Sequence, residues 1–182
     1  MFGQIRSKLM APARRFARAQ DGATAVEFAL VAAPFLALIF AIIETALVFF
    51  AGQTLETAAT DAARLIMTGQ AQTAGYSQSD FKTAVCNRLA GGLFDCTNGV
   101  YVDVKTYSSF TSINTAPPIV NGKLDTSNMT YTPGGPGNIV VVRLYYQWPI
   151  IVSMLGDNLA NLNGNQRLLM ATSVFRNEPY GG

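Results

Sequence analysis

The chain has 182 residues, of which 49% are apolar and only 13% are charged, a balance typical of a membrane-associated protein. Its net charge is +2, but residues 1–22 hold five basic side chains and one acid. The remaining residues hold eight basic and ten acidic side chains, so the basic excess is confined to the N-terminus. This distribution argues against nucleic-acid binding by the whole chain.

The sequence contains no histidine and only two cysteines. The missing histidine removes the usual general base, the nucleophile systems that depend on it, and every histidine-containing zinc site. Two cysteines are too few for a zinc or iron–sulfur site made within one chain. No nucleophile motif or carboxylate pair in a convincing context is present. We therefore expect no enzyme activity, no catalytic residue, no cofactor and no bound metal.

A long apolar segment follows the basic N-terminus. Residues 28–43 carry no charge, Glu44 and Thr45 interrupt the run, and residues 46–51 are apolar again. As a helix this stretch would be about 36 Å long, enough to span a hydrocarbon core of about 30 Å with some tilt. Residues 23–51 are therefore predicted to form a transmembrane helix.

The charges that flank this segment predict its orientation. Arg14, Arg15 and Arg18 precede it, and basic residues stay on the cytoplasmic side of a membrane. The leader, residues 1–22, is therefore expected in the cytoplasm, and residues 52–182 are expected to form an exported domain. The leader is not an ordinary secretory signal, because no cleavage site of the usual small-residue type follows the apolar run.

The exported part begins with helical spacing and continues with alternating patterns. Apolar residues recur every three or four positions up to Gly69, a plausible helix stop. A second helix is predicted over 77–90, where Ser77 and Asp80 have the spacing of a capping box. Three runs then read as strands: 100–107, 139–148 and 167–176.

The predicted fold class is α+β: a long N-terminal helix, half in the membrane, whose outer half packs on an antiparallel sheet of three or more strands. Residues 108–138 are rich in Ser, Thr, Pro, Gly and Asn. A loop of that length is unusual in a compact domain, so we expect part of it to be ordered or to serve a partner. The apolar run 149–155 is too short to span a membrane and is expected in the core or in a helical turn.

The two cysteines, Cys86 and Cys96, lie close together in the sequence. In a compartment outside the cytoplasm they are expected to form one disulfide. A pair of buried free thiols is the alternative, and it would be favoured if the domain faced the cytoplasm.

The segment DGATAVEF, residues 21–28, raises a specific question, because it places an acid at the start of a membrane-length helix. Residues 22–44, GATAVEFALVAAPFLALIFAIIE, followed by LETAATDAAR at 55–64, resemble the TadE-like minor pilins of tight-adherence (Tad, Flp-type) pilus systems. The resemblance implies that a prepilin peptidase cuts after Gly22 and leaves Ala23 as the new N-terminus. Glu27 would then be the fifth residue.

An acid in a membrane helix costs on the order of 2.5–3.5 kcal/mol unless it is paired. The new ammonium of Ala23 lies one helical turn from Glu27, or on a neighbouring subunit, and would supply that pairing. Phe28 stands where major Flp pilins have tyrosine, and the exported part is far larger than a major pilin, which favours a minor component. Glu44 matches a family acid whose role the sequence does not reveal, and it is expected at the outer membrane interface.

The resemblance implies a minor pilin or pseudopilin that primes or caps a fibre and takes part in cell adhesion. Its expected partners are the prepilin peptidase, other pilin-like subunits and the pilus assembly platform. Its expected location is the bacterial inner membrane, crossed once, with the C-terminal domain in the periplasm, or the pilus itself. Two alternatives stay open: an uncleaved, membrane-anchored binding module that uses loop 108–138, and a pseudopilin of a type II-like secretion system.

Overall fold

A computed structural model describes residues 21–89, 92–151 and 159–180 of the chain. The described residues fall into two compact units that divide between Ile42 and Ile43. Arg14, Arg15 and Arg18 of the leader, Gly91 and residues 152–155 of the apolar run lie outside the described residues. The architecture is α+β, which confirms the predicted fold class.

The element order begins with helices and ends with strands. Helix α1 includes Pro34 without a break in the helix. The α-helices are α1 (Asp21–Met67), α2 (Gln70–Thr73), α3 (Gln78–Cys86) and α4 (Cys96–Gly99). The strands are β1 (Val100–Tyr107), β2 (Ile119–Val120), β3 (Lys123–Leu124), β4 (Ile139–Pro149) and β5 (Gln166–Arg176), with a short 3-10 helix at Phe110–Ser112.

The main sheet has the order β1–β4–β5, and both neighbouring pairs are antiparallel. All three strands match the runs predicted from alternation, with β4 and β5 each one residue longer than predicted. Strands β2 and β3 form a separate two-stranded hairpin inside the long polar segment. That segment is therefore partly ordered, which was one of the two expectations for it.

One face of the main sheet packs against the part of α1 that follows Ile43. The principal core combines small and apolar residues of that helix with the inward residues of β1, β4 and β5. Alanine dominates the helix side, since Ala51, Ala58, Ala59 and Ala62 are all almost fully buried. Small side chains allow the helix backbone to approach the sheet closely, and β-branched valines fill the strand side.

The other face of the sheet is also covered. Tyr145, Leu162 and Leu168 form a second buried cluster, against which residues of β1 and of segment 119–129 pack. As a result, β4 is buried without interruption from Val140 to Tyr146. Alternation assigns only one face of such a strand to the core, but here residues 119–129 pack over the opposite face as well.

Local signals set the ends of the helices. Gly69 follows α1 with a positive φ of 77°, and the ring of Tyr180 lies where a Cβ at this position would be. Ser77 and Asp80 form the predicted capping box at the start of α3. The helix ends at Cys86, short of the predicted residue 90, because the amides of Arg88 and Leu89 bond to carbonyls only three residues back.

Candidate functional site

The N-terminal half of α1 presents an apolar surface on all sides. Its most apolar window has a mean hydropathy of 2.5, and none of that window is buried. Residues 22–42 would extend about 31 Å as a helix, close to the hydrocarbon thickness of a bilayer. The large apolar side chains exposed here are Val26, Phe28, Leu30, Val31, Phe35, Leu36, Leu38, Phe40 and Ile42. This segment is compatible with a single-pass membrane anchor.

The residues predicted for processing and pairing lie in the first turns of this helix. Gly22, Ala23, Glu27 and Phe28 are all exposed. No atom of the described residues lies within 4 Å of a Cβ built at Gly22, so the position is open. Ala23 and Glu27 are one helical turn apart and share a face. Among the described residues, none forms an ion pair with Glu27.

Glu44 lies in a different environment from Glu27. It belongs to the second unit, and only 7% of it is exposed. One of its carboxylate oxygens accepts the backbone N–H of Ile151, which follows β4 by two residues. This bond joins α1 to the connection between β4 and β5, and it gives Glu44 a contact that the sequence had not predicted.

Glu44 is also the first member of the buried stripe of α1. The stripe recurs every three or four residues and comprises Glu44, Val48, Ala51, Leu55, Ala58, Ala62 and Ile66. Such spacing places residues on one helix face. The spacing was visible in the sequence, because Glu44 precedes Val48 by four residues, about one turn. It indicates that Glu44 lies on the buried face of α1, but it does not identify the group that Glu44 contacts.

The two cysteines form a disulfide, which confirms the pairing predicted for them. Cys86 is the last residue of α3 and Cys96 is the first residue of α4, and their Cα atoms are 5.8 Å apart. Because α4 leads directly into β1, the bridge ties the short helix α3 to the start of the sheet.

A buried group of charges lies on the sheet face opposite α1, and sequence reasoning missed it. Asp103 and Arg143 are adjacent on β1 and β4, with 3.5 Å between Oδ2 and Nη1. Lys105 contacts the same carboxylate at 3.2 Å. Asp103 accepts the amide of Thr130 at 2.9 Å, and Arg143 donates to the carbonyl of Asn114. The pair therefore holds two points of the polar segment 108–138, Asn114 and Thr130, against the sheet.

A groove with a volume of about 410 Å³ lies within the second unit, beside α1 and β5. Its polar lining includes Gln53, Glu56, Asn161 and Arg167, and its apolar lining includes Met170. None of these side chains is a nucleophile with an adjacent base. Within the described ranges, no group of three or more histidine, cysteine, aspartate or glutamate side chains is placed to hold a metal ion.

The family described as TadE-like protein matches residues 22–64, which is well under half of the chain. No curated protein and no solved structure matches the sequence. The matched segment starts at Gly22 and includes Glu27, Glu44 and most of the buried stripe. The resemblance is thus confirmed for residues 22–64: this part of the chain is TadE-like, and with its apolar helix the protein fits a membrane protein associated with Tad pili.

Proposed function

We propose that the protein is a minor pilin or pseudopilin needed to assemble a Tad (Flp-type) pilus, by priming or capping the fibre. The observation that carries this proposal is the coincidence of two features. The TadE-like segment begins at Gly22, and the same residues form an exposed apolar helix whose first turns contain the acid Glu27. A structural role of this kind requires no catalytic chemistry.

The membrane position follows from the helix and its flanking charges. The sequence predicted a span over residues 23–51, but we propose the shorter span 23–43, because Glu44, Val48 and Ala51 are buried within the second unit. Arg14, Arg15 and Arg18 would keep the leader in the cytoplasm. The domain that follows would then lie in the periplasm. The disulfide between Cys86 and Cys96 supports this orientation, because disulfides form and persist in oxidising compartments outside the cytoplasm.

The proposed processing step is cleavage after Gly22 by a membrane-embedded prepilin peptidase. Glycine offers no side chain that would hinder approach to the scissile bond. Cleavage would remove the leader and create an ammonium group at Ala23, one turn from Glu27. In a medium of low dielectric, this pairing offsets part of the cost of placing a carboxylate in the membrane.

Pairing between subunits is the proposed source of assembly. The ammonium at one Ala23 and the carboxylate of Glu27 on a neighbouring helix would set the axial register of the two subunits, while the exposed apolar side chains pack between them. The exported domain is large, and each copy of it would have to fit around a closely packed bundle of helices. Its size therefore favours a subunit that is present in few copies.

The test compares Glu27→Gln with Glu56→Gln in cells that lack the wild-type protein. Glu56 is an exposed acid on the same helix, outside the proposed span, and it serves as the matched control. Insertion is measured by resistance of the protein to alkaline extraction from membranes, and assembly by the pili recovered after shearing.

We expect both variants to insert, because Glu27→Gln removes the cost of a membrane carboxylate and Glu56 lies outside the proposed span. Pili should be lost or greatly reduced with Glu27→Gln and unchanged with Glu56→Gln. Normal pili with Glu27→Gln would contradict the pairing role. Normal pili in cells without the protein would contradict the assembly function, and loss of a secreted substrate in place of pili would favour a secretion pseudopilin.

A further inference from the structure

We infer that Ile151, the second residue after β4, makes a second contact with the membrane through its side chain. The partner is the lipid of the outer leaflet, at the level where the headgroups meet the acyl chains. This inference rests on the proposed membrane span of α1, and it adds a surface of the exported domain to the membrane-binding region.

The position of Ile151 along α1 is the first reason. Glu44 directly follows Ile43, the last residue of the uncharged run, and its carboxylate holds the backbone N–H of Ile151. If that run crosses the bilayer, Glu44 lies at its outer boundary. The polar layer on each side of the hydrocarbon core is about 5–7 Å deep, so a group bonded to Glu44 lies within this layer.

The exposure of Ile151 is the second reason. It is 84% exposed, which is the highest value among the large apolar side chains of the described residues. Its neighbour Ile150 is only 5% exposed and belongs to the core. On α1, Ile43 directly precedes Glu44 and Leu47 follows it by three positions, and both are exposed, at 49% and 44%. Single exposed apolar residues are ordinary, but Ile151 is also bonded through its backbone to Glu44, the residue that follows the proposed membrane run.

The backbone that carries Ile151 is fixed in place. The amide of Ile150 donates to the carbonyl of Asn165 at 2.9 Å, and the side-chain amide of Asn165 donates back to the carbonyl of Ile150 at 2.5 Å. Glu44 holds the next amide. Three hydrogen bonds therefore fix the backbone of Ile150 and Ile151. They join this backbone to Glu44 of α1 and to Asn165, which directly precedes β5.

A second membrane contact would have a consequence for assembly. A domain attached by one helix is free to rotate about the helix axis, whereas a domain that also inserts a side chain into the lipid has a preferred orientation on the membrane. Apolar side chains are favoured at the interface when they reach the acyl boundary. Ile151 would in this way fix which face of the exported domain meets a neighbouring subunit.

The experiment uses tryptophan fluorescence of the full-length protein in lipid vesicles. The chain has one tryptophan, Trp148, so Trp148→Phe provides a background without it. Ile151→Trp is then added, a change that the exposed side chain can accommodate. Emission is measured with iodide in the water, with lipid brominated high on its acyl chains, and with lipid brominated near the chain ends.

Two further single-tryptophan variants are matched controls. Phe35→Trp reports the membrane segment, because Phe35 is 58% exposed on the apolar half of α1. Phe110→Trp reports the far end of the domain. It follows the end of β1 that pairs with Ile139, which lies about 33 Å along β4 from Pro149, and Phe110 is 57% exposed.

We expect Ile151→Trp to lose most of its emission in lipid brominated high on the chains, and to be shielded from iodide relative to Phe110→Trp. If iodide quenches Ile151→Trp as strongly as Phe110→Trp, the contact does not exist. Shielding from both iodide and brominated lipid would mean that protein covers the site, which also overturns the inference.

The control in α1 separates this inference from the proposal on which it rests. If brominated lipid quenches Phe35→Trp but not Ile151→Trp, the membrane span holds and the second contact is wrong. If it quenches neither, the span itself is wrong. Should near-ultraviolet circular dichroism show that Trp148→Phe disturbs the fold, the measurement is repeated with Trp148 retained and its separate emission subtracted.

Discussion

The carboxylate of Glu44 accepts the backbone N–H of Ile151, a residue 107 positions later in the chain. This bond joins the first residue of the buried stripe of α1 to the connection after β4. An acid that the sequence places at a membrane boundary is thus part of the folded domain. Its contact attaches α1, at the start of the second unit, to the residues that follow β4.

The first prediction concerns this bond. Glu44→Ala leaves the amide of Ile151 without its acceptor, and loss of such a buried partner costs about 1–3 kcal/mol. Glu44→Gln keeps an acceptor oxygen and should cost less. The free energy of unfolding of the full-length protein in detergent, followed by near-ultraviolet circular dichroism in urea, measures both. Glu56→Ala removes an exposed acid from the same helix and should have almost no effect. Equal losses for the two alanine variants would contradict a specific role of Glu44.

The second prediction concerns the disulfide between Cys86 and Cys96, which closes a loop with a sequence separation of 10. Closing a loop of this size restricts the unfolded chain, so replacing both cysteines with serine should lower stability by about 3 kcal/mol. The same urea titration measures this loss. The pairing itself is checked by alkylation of unreduced, denatured protein. Two alkylated thiols in protein isolated from membranes would contradict both the bridge and the periplasmic location.

The third prediction compares the two cations that contact Asp103. Lys105 is the closer of the two, at 3.2 Å, but its side chain is 30% exposed, whereas that of Arg143 is 9% exposed. Solvent weakens the pair between Lys105 and Asp103, so Lys105→Met should lower the free energy of unfolding by less than about 1 kcal/mol. Arg143→Met leaves the buried carboxylate of Asp103 with one fewer partner, and it should lower the free energy of unfolding by about 3 kcal/mol or more. Adding Asp103→Asn to Arg143→Met should restore part of that loss.

Limited proteolysis gives a second readout of the same pair. Arg143 and Asp103 hold the residues near Asn114 and Thr130, so their loss should expose segment 108–131 to cleavage before the domain unfolds. Lys105→Met should leave the digestion pattern unchanged. If Arg143→Met is no more sensitive than Lys105→Met, the buried pair does not anchor the segment.

The fourth prediction concerns pH and Tyr131. Burial, with smaller contributions from the charges of Asp80 and Tyr76, raises the pKa of Tyr131 from its ordinary value of 10 to about 12. The native state therefore retains this proton at pH values where the unfolded state has lost it. Stability should fall as pH rises from about 10 to 12, because the native state then binds more protons than the unfolded state. The stability of the Tyr131→Phe variant should fall less over this pH range.

The same variant should be tolerated at neutral pH. The hydroxyl of Tyr131 is buried and has no hydrogen-bond partner among the described residues, and its ring packs against Phe81 with centroids 5.6 Å apart. Phenylalanine keeps that packing and removes an unpaired polar group. The measurement is the difference in unfolding free energy between Tyr131→Phe and the wild type across the pH range. An identical alkaline fall in both proteins would show that Tyr131 does not contribute to it.

The sequence predicted the elements whose patterns are local. Strand β1 and the capping box at Ser77 follow from alternation and from residue spacing, which are properties of short segments. The end of α1 near Gly69 follows from the preference of glycine for a positive φ. The TadE-like segment was recognisable for a similar reason, since its features lie in consecutive turns of one helix.

The contacts that the sequence did not predict join distant segments. Arg143 is a charged residue within an apolar strand, and it is buried because residues of segment 108–131 lie over its face and supply the carbonyl of Asn114 as an acceptor. The contact of Glu44 depends on where the chain returns after β4. Neither the contact of Arg143 nor that of Glu44 can be derived from periodicity. Periodicity assigns each residue to a face of its helix or strand, but it does not identify the segment that covers that face.

Cleavage after Gly22 is the clearest consequence of the proposed pilin role. Position 22 is exposed, and an added side chain would meet no atom of the described residues within 4 Å. A larger residue at this position therefore fits the chain itself. Gly22→Val should block the peptidase while insertion and orientation persist, since these depend on the apolar helix and the basic leader.

The most direct measurement is the intact mass and first residue of the protein purified from membranes of cells that have the pilus system. We predict that the wild-type protein begins at Ala23 and lacks Arg14, Arg15 and Arg18, and that Gly22→Val retains the leader. A wild-type protein that still carries those three arginines after it reaches the membrane would contradict processing. The chain would then be an uncleaved membrane anchor, and its assignment as a pilin would be wrong.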